Sequence, residues 1–158
     1  MTSSVRLRDI SESDLPIFFE QQLDPVANYM AAFTAKDPED RTAFSEHWVK
    51  ILADETITLR TILFEGLVAG HIVSHGWFGE PEISYWIGRE FWGRGIATRA
   101  LSDFLYQLSD RPLYARVAKD NKASLQVLEK CGFEHSGEDK GYSNARAEEV
   151  EEFILKLE

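Results

Sequence analysis

The sequence is poor in several things, and each scarcity removes a class of protein. Cys131 is the only cysteine among 158 residues, so no internal disulfide can form and a disulfide-stapled secreted fold is excluded. No apolar run approaches the roughly 18 residues that cross a bilayer, and Met1-Thr2-Ser3-Ser4-Val5-Arg6 has no apolar signal core. These features predict a soluble cytoplasmic protein with no membrane partner. A Gly-x-x-x-x-Gly-Lys-Ser/Thr phosphate loop is missing. His47, His71, His75 and His135 show no metal-ligand spacing, so no metal is expected. Positive charge is also scarce. Lys and Arg number 17 against 27 Asp and Glu, for a net charge of −10, which argues against nucleic acid as a partner.

Repeats, linkers and low-complexity stretches are lacking as well, which leaves one domain over residues 1–158. Hydrophobic residues make up 44%, enough for a real core. The charge is unevenly distributed: residues 83–130 carry +3, residues 1–82 carry −8 and residues 131–158 carry −5. That is compatible with a polyanion on the basic stretch and a cationic ligand on the acidic part, or with a solvated surface of uneven charge.

Residues 82–108 organise the rest. Ile83, Tyr85 and Ile87 alternate with Ser84, Trp86 and Gly88 and predict a strand. From Ile96 the period changes, and Ile96, Ala97, Ala100, Leu101, Phe104, Leu105 and Leu108 share one helical face. The switch falls at Gly93-Arg94-Gly95. A helix start has unpaired N–H groups and a positive dipole end, and glycine lets an anion approach the backbone. Gly93, Arg94, Gly95, Ile96 and Ala97 could therefore present amides to a phosphate; the plainer alternative is a tight strand-to-helix turn. The dinucleotide fingerprint fits poorly, because Thr98 stands where it needs a third glycine or alanine.

Val5–Arg8 reads as an edge strand. Ser13, ahead of Leu15-Pro16, is the expected cap of a first helix with Leu15, Phe18, Phe19 and Leu23 inward. Residues 26–33 follow no clear pattern. Asp37-Pro38 predicts a second helix start, with Phe44, Trp48, Ile51 and Leu52 at helical spacing. Residues 56–64 and 67–75 form a predicted hairpin about Glu65-Gly66. After the glycine-turn helix come a strand at 113–117 and a helix capped by Asp120 or Asn121 and ending at Gly132. A loop at Gly141-Tyr142-Ser143-Asn144 and a last strand from Val150 follow. The fold class expected is α/β or α+β, with helices around one mixed sheet.

Tyr85-Trp86-Ile87, Phe91-Trp92-Gly93-Arg94-Gly95-Ile96-Ala97-Thr98, Asn121-Lys122-Ala123-Ser124 and Lys130-Cys131-Gly132-Phe133 together resemble the GNAT N-acetyltransferases, and within them the ribosomal-protein (Rim-type) branch. The resemblance spans the chain and is strongest over residues 82–133. It implies a mostly antiparallel sheet with splayed central strands and acetyl-coenzyme A as co-substrate. The family pattern Gln/Arg-x-x-Gly-x-Gly/Ala falls on residues 90–95, with Glu90 departing at its first position. The cofactor-binding set implied is Trp86, Ile87, Trp92, Gly93, Arg94, Gly95, Ile96, Ala97, Thr98, Asn121 and Ser124. The pantetheine arm would pair with backbone near Trp86 and Ile87, and an N–H near Ile87 would polarise the thioester carbonyl.

Three residues are candidate catalysts. Glu82 could be the general base that keeps the acceptor amine neutral, or simply a carboxylate at a strand start. Ser124 corresponds to a serine that protonates the leaving thiolate, or is a small residue on a packing face. Tyr142 is a second candidate acid, or a loop aromatic. Asn121 reaches the coenzyme, caps the helix, or does both. Cys131 reads as core rather than nucleophile. Tyr29, Met30, Phe33, the Trp77-Phe78 loop and Tyr142 to Arg146 are expected to meet the acceptor, a protein N-terminus or a small molecule. The expected reaction is direct acetyl transfer to a primary amine in a ternary complex, by a monomer or homodimer. The alternatives are a catalytically inactive acyl-coenzyme A-binding module and, from the glycine turn, a nicotinamide-binding domain.

Overall fold

The computed structural model describes residues 4–77 and 79–158. In chain order the elements are β1 (Val5–Arg8), α1 (Leu15–Gln22), α2 (Pro25–Ala31), α3 (Arg41–Ala53), β2 (Thr58–Phe64) and β3 (Leu67–His75). Then follow β4 (Glu82–Ile87), α4 (Ile96–Gln107), β5 (Leu113–Ala118), α5 (Lys122–Lys130), β6 (Glu134–Ser143) and β7 (Glu148–Leu157). The seven strands form one sheet in the order β1-β2-β3-β4-β5-β7-β6. Every neighbouring pair is antiparallel except β4 and β5, which run parallel. This is the mixed, mostly antiparallel sheet with flanking helices that the sequence predicts. No described helix is long and apolar enough to cross a membrane.

Each sheet face has its own core. On one side α4 lays Ile96, Ala100, Leu101, Phe104 and Leu105 onto Ile72, Ile83, Ile87, Leu113, Ala115 and Val117, with Leu128 of α5 beside them. Those α4 positions recur at helical spacing and form the predicted stripe. Phe104 is fully buried, so truncating it to Ala would cost about 3–5 kcal/mol. On the other side Phe18, Trp48 and Ile51 from α1 and α3 cover Leu59 and Val73. Strand alternation sorts β4 between the two: Ile83, Tyr85 and Ile87 face α4 and α5, while Glu82, Ser84 and Trp86 face α1 and α3.

The β2–β3 hairpin turns where expected, with Glu65 and Gly66 both at positive φ, as a primed two-residue turn requires. Three local expectations need correction, and the stretch without a clear pattern proves helical. Ser13 does not cap α1: a short 3-10 turn at Glu12–Asp14 precedes it, and the Ser11 N–H donates to Asp14 Oδ2 at 2.9 Å. Asp14 is buried, and burial opposes its charge. Bonds from Arg8 at 2.7 and 2.8 Å, from Thr61 at 2.6 Å and from Ser11 nevertheless hold its carboxyl below the usual range. The cap of α3 is Asp40, whose Oδ1 accepts from Ala43 N at 3.0 Å. Asp37 instead closes a turn, accepting from Glu39 N. Residues 25–31 are helical, because Asp24 caps Val26 N and Pro25 occupies the first turn. Tyr142 lies in β6 rather than a loop; the chain turns after it, at residues 144–147.

Candidate functional site

β4 and β5 are joined at one place only, Glu82 opposite Tyr114, where Tyr114 N donates to Pro81 O at 2.8 Å. Beyond that bridge the strands part toward their C-terminal ends and leave a slot. Hydrogen-bond phase decides which backbone groups line it. Gly88 N donates to Ala69 O at 2.8 Å, and the β3–β4 register pairs Trp86 with His71 and Ser84 with Val73. In an antiparallel ladder alternate residues turn their polar groups to the neighbour. Trp86, Ser84 and Glu82 therefore bond toward β3, and Tyr85 and Ile87 turn theirs into the slot. On the far wall Lys119 N donates to Glu151 O, which by the same alternation turns Arg116 backbone toward β4. The Trp86 peptide is thus committed to β3, and of the backbone around Trp86 and Ile87 it is Tyr85 and Ile87 that turn their groups to the slot. The Ile87 carbonyl is itself taken by Trp92 Nε1 at 2.9 Å, which leaves the Ile87 N–H.

The glycine turn stands at the mouth of the slot. Gly93 and Gly95 have φ of 76° and 74°, a region that side-chain-bearing residues rarely adopt. None of the N–H groups of residues 93–98 donates to a described protein group, and the first helical bond into this turn comes from Arg99 N to Gly95 O at 3.2 Å. Six successive amides are thus open at a helix start. Arg94 lies over the Phe64 ring. Thr98 gives its carbonyl to Cys131 Sγ at 3.6 Å, and burial pushes the Cys131 thiol pKa up.

Across the slot, Asn121 caps α5: its Oδ1 accepts from Ser124 N at 3.3 Å, while its Nδ2 donates to Met30 O at 3.3 Å. The cap expected from the sequence is present, and the same side chain ties α5 to the end of α2. Ser124 Oγ lies 2.9 Å from Tyr85 Oη. Burial raises the Tyr85 pKa, partly offset by that bond, so the phenol stays protonated at neutral pH.

Glu82 faces the opposite side. Its carboxylate accepts from Arg116 Nε at 3.1 Å, and Arg116 Nη1 also reaches Glu152 at 2.8 Å and Asp139 at 3.0 Å. Burial works against the Arg116 charge, but bonds to Glu152, Asp139 and Glu82 prevail and raise its pKa. Burial also lifts the Glu152 carboxyl above its usual range, against the pull of Arg116. His75 sits opposite Glu82 on β3, stacked on Trp77 with centroids 3.8 Å apart, and burial lowers its pKa.

Glu82, Ser124 and Tyr142 are therefore not brought together, and no hydrogen bond joins any two of them. Glu82 and Ser124 lie on opposite sheet faces, and Tyr142 is exposed on β6. The expected acceptor contacts also divide. Phe33 and Trp77 line a cavity of about 460 Å³ that reaches Ser84 and Trp86. Tyr29, Met30 and residues 142–146 instead form a seam between α2 and the β6–β7 turn, where Arg146 stacks on Tyr29 and pairs with Asp120 at 2.7 and 2.9 Å. Phe78 lies outside the described residues. Tyr85, quoted only as part of a motif, and Arg116, Glu152 and His71 were not among the site residues expected from sequence. Only Tyr85 had a signal, its place on the same strand face as Ile83 and Ile87.

Comparison with known proteins matches this arrangement. The family model described as an acetyltransferase (GNAT) domain matches residues 4–134. The N-acetyltransferase p20 of Bacillus licheniformis, itself uncharacterised, is 26% identical over 83 residues, 50% of this chain and 47% of that protein. The matched region is thus about half the length of that relative. Mycobacterium smegmatis RimJ in complex with CoA-disulfide superposes with a TM-score of 0.79 at 23% identity, covering 97% of this chain and 81% of that one. Spermidine N-acetyltransferase from Vibrio cholerae, in complex with CoA and spermine, gives 0.79 at 18% identity, covering 98% and 96%. The ribosomal-protein-S5-alanine acetyltransferase from Vibrio fischeri gives 0.74 at 17%, covering 99% and 94%. At these identities the superpositions speak to fold, and the family model speaks to descent. The parting of two parallel strands in an otherwise antiparallel sheet, with open amides at its mouth, is the architecture of that family, and the chain belongs to the GNAT acetyltransferases.

Proposed function

We propose that this protein transfers an acetyl group from acetyl-coenzyme A to a primary amine by direct attack within a ternary complex. The observation that carries the reading is the run of open amides at 93–98 beside a slot made by strands that share one bridge. Within the family we assign it to the Rim-type branch, on its motifs at 85–98 and 121–133. In this reading the pyrophosphate lies on the 93–98 amides, as the coenzyme bound by the structural relatives suggests. The pantetheine arm fills the slot between Tyr85–Ile87 and Arg116. The amine nitrogen attacks the thioester carbon, the C–S bond breaks, and sulfur leaves as thiolate. The Ile87 N–H aims at the developing oxyanion, a contact worth about 3 kcal/mol in comparable sites. Ser124 hands its proton to sulfur and is reprotonated by Tyr85 or water. Glu82 takes the amine proton from the other face, directly or through water.

The pairing of Glu82 with Arg116 favours a second reading, an acyl-coenzyme A-binding module without turnover, because that carboxylate is already engaged by a guanidinium. Thiol release from acetyl-coenzyme A with a panel of amines and peptides separates the two. Amine-dependent release that falls at least tenfold in Glu82→Gln supports transfer with Glu82 as base. Tight coenzyme binding with no release across the panel supports the second.

A further inference from the structure

The 460 Å³ cavity lies on the α1 and α3 side of the sheet, under residues 33–40, and opens onto Ser84 and Trp86. Those residues share the face of Glu82, so the cavity borders the same side of β4 as that carboxylate, opposite α4. Its walls are largely rings, among them Phe33, Phe44, Trp48, Trp77 and Trp86. Charge inside it is sparse. Asp37 and Asp40 stand at the exposed rim, each with one oxygen engaged by a backbone N–H at 3.0 Å. Burial holds His47 below the ordinary imidazole range and His71 at about 4, so neither adds a cation at neutral pH. Two lining residues, Thr34 and His71, each hold a buried polar atom, Oγ1 and Nδ1, without a hydrogen-bond partner. Unpaired buried polar atoms are rare and costly, and a polar group on a ligand would satisfy them.

We propose that the acceptor is a singly charged arylalkylamine, its ring among Phe33, Phe44 and Trp77, with a ring hydroxyl answered by Thr34. Ring walls favour a flat apolar body through burial and edge or face contacts. A second ammonium would lie against apolar walls with no uncommitted carboxylate inside, which is unfavourable. The binding claim needs only the cavity; its link to catalysis rests on the acetyl-transfer reading.

The test is calorimetric titration of the full chain, with coenzyme A present, using ethylamine, 2-phenylethylamine, tyramine and 1,4-diaminobutane. 2-Phenylethylamine should bind at least tenfold tighter than ethylamine and 1,4-diaminobutane, and tyramine about threefold tighter again. Thr34→Val should abolish only the tyramine increment. Trp77→Ala, at a half-exposed ring, should reduce the ring preference at least threefold. Diaminobutane binding as tightly as the ring amines overturns the inference, as does a ring preference intact in Trp77→Ala. Parallel thiol-release assays keep the two claims apart. Ring amines that bind with this preference to a protein that releases thiol with no amine or peptide leave the binding claim standing and overturn transfer. Acetylation of diaminobutane in preference to ring amines does the reverse.

Discussion

Replacing His71 with Phe should make the protein more resistant to acid. His71 packs between Phe18 and Trp48, with ring centroids 4.8 and 5.0 Å away, and its Nδ1 has no partner. A phenyl ring keeps the volume and removes a buried polar atom. Burial, aided by His47, holds the imidazole at about 4 against an ordinary 6.5. Between those two values the unfolded chain binds a proton that the folded protein refuses. Stability therefore falls as pH drops through this window, by about 1.4 kcal/mol per pH unit, and the deficit levels at about 3 kcal/mol below pH 4. Against a typical total of about 5–15 kcal/mol that is a large share. Urea unfolding of both proteins from pH 7.5 to 4.5 isolates this contribution, because the other titrating groups cancel in the difference. The variant should gain about 2.5 kcal/mol on wild type across that range. A stability difference that does not change with pH would refute the argument that His71 is buried uncharged.

Other consequences follow from the same geometry. Arg116→Met would leave Glu82 and Glu152 buried without their cation, and a thermal melt at pH 7 should report a loss of about 3 kcal/mol. Asp14→Asn turns the carboxylate that accepts from Arg8, Thr61 and Ser11 into a neutral amide with one acceptor oxygen, and should cost about 2 kcal/mol at pH 7. Because the Asp14 carboxyl is held below its ordinary value, that penalty should shrink as pH falls through the folded value, which paired denaturation curves would show. Tyr85→Phe deletes the partner of Ser124 and, if the pair delivers the proton to sulfur, should lower kcat several-fold while leaving coenzyme affinity within twofold.

What the sequence revealed were the features built from short-range chemistry. The strand, turn and helix at 82–108 were readable because hydrophobic period changes from two to 3.6 across two glycines, and both glycines do take positive φ. The hairpin at Glu65-Gly66 was readable for the same kind of reason. Caps were less secure. Ser11, Ser13 and Asp14 all suit a helix start, and only the tertiary pull of Arg8 and Thr61 on Asp14 decides among them. Pro38 likewise suits a turn as well as a first helical position. The seven-residue α2 shows too little periodicity to be recognised alone. The pairings that shape the site join residues far apart in the chain, Glu82 with Arg116 and Tyr85 with Ser124. No local pattern encodes them. Glu82 read from its strand position as a general base or as a plain carboxylate at a strand start; the structure gives it a guanidinium partner.

A crystal structure of the protein with coenzyme A bound is the most direct measurement. The account predicts pyrophosphate oxygens within about 3.1 Å of several N–H groups among residues 93–98, with the pantetheine arm in the slot beside Tyr85 and Ile87. A diphosphate lodged elsewhere, with those amides turned to water or to the protein itself, would contradict it.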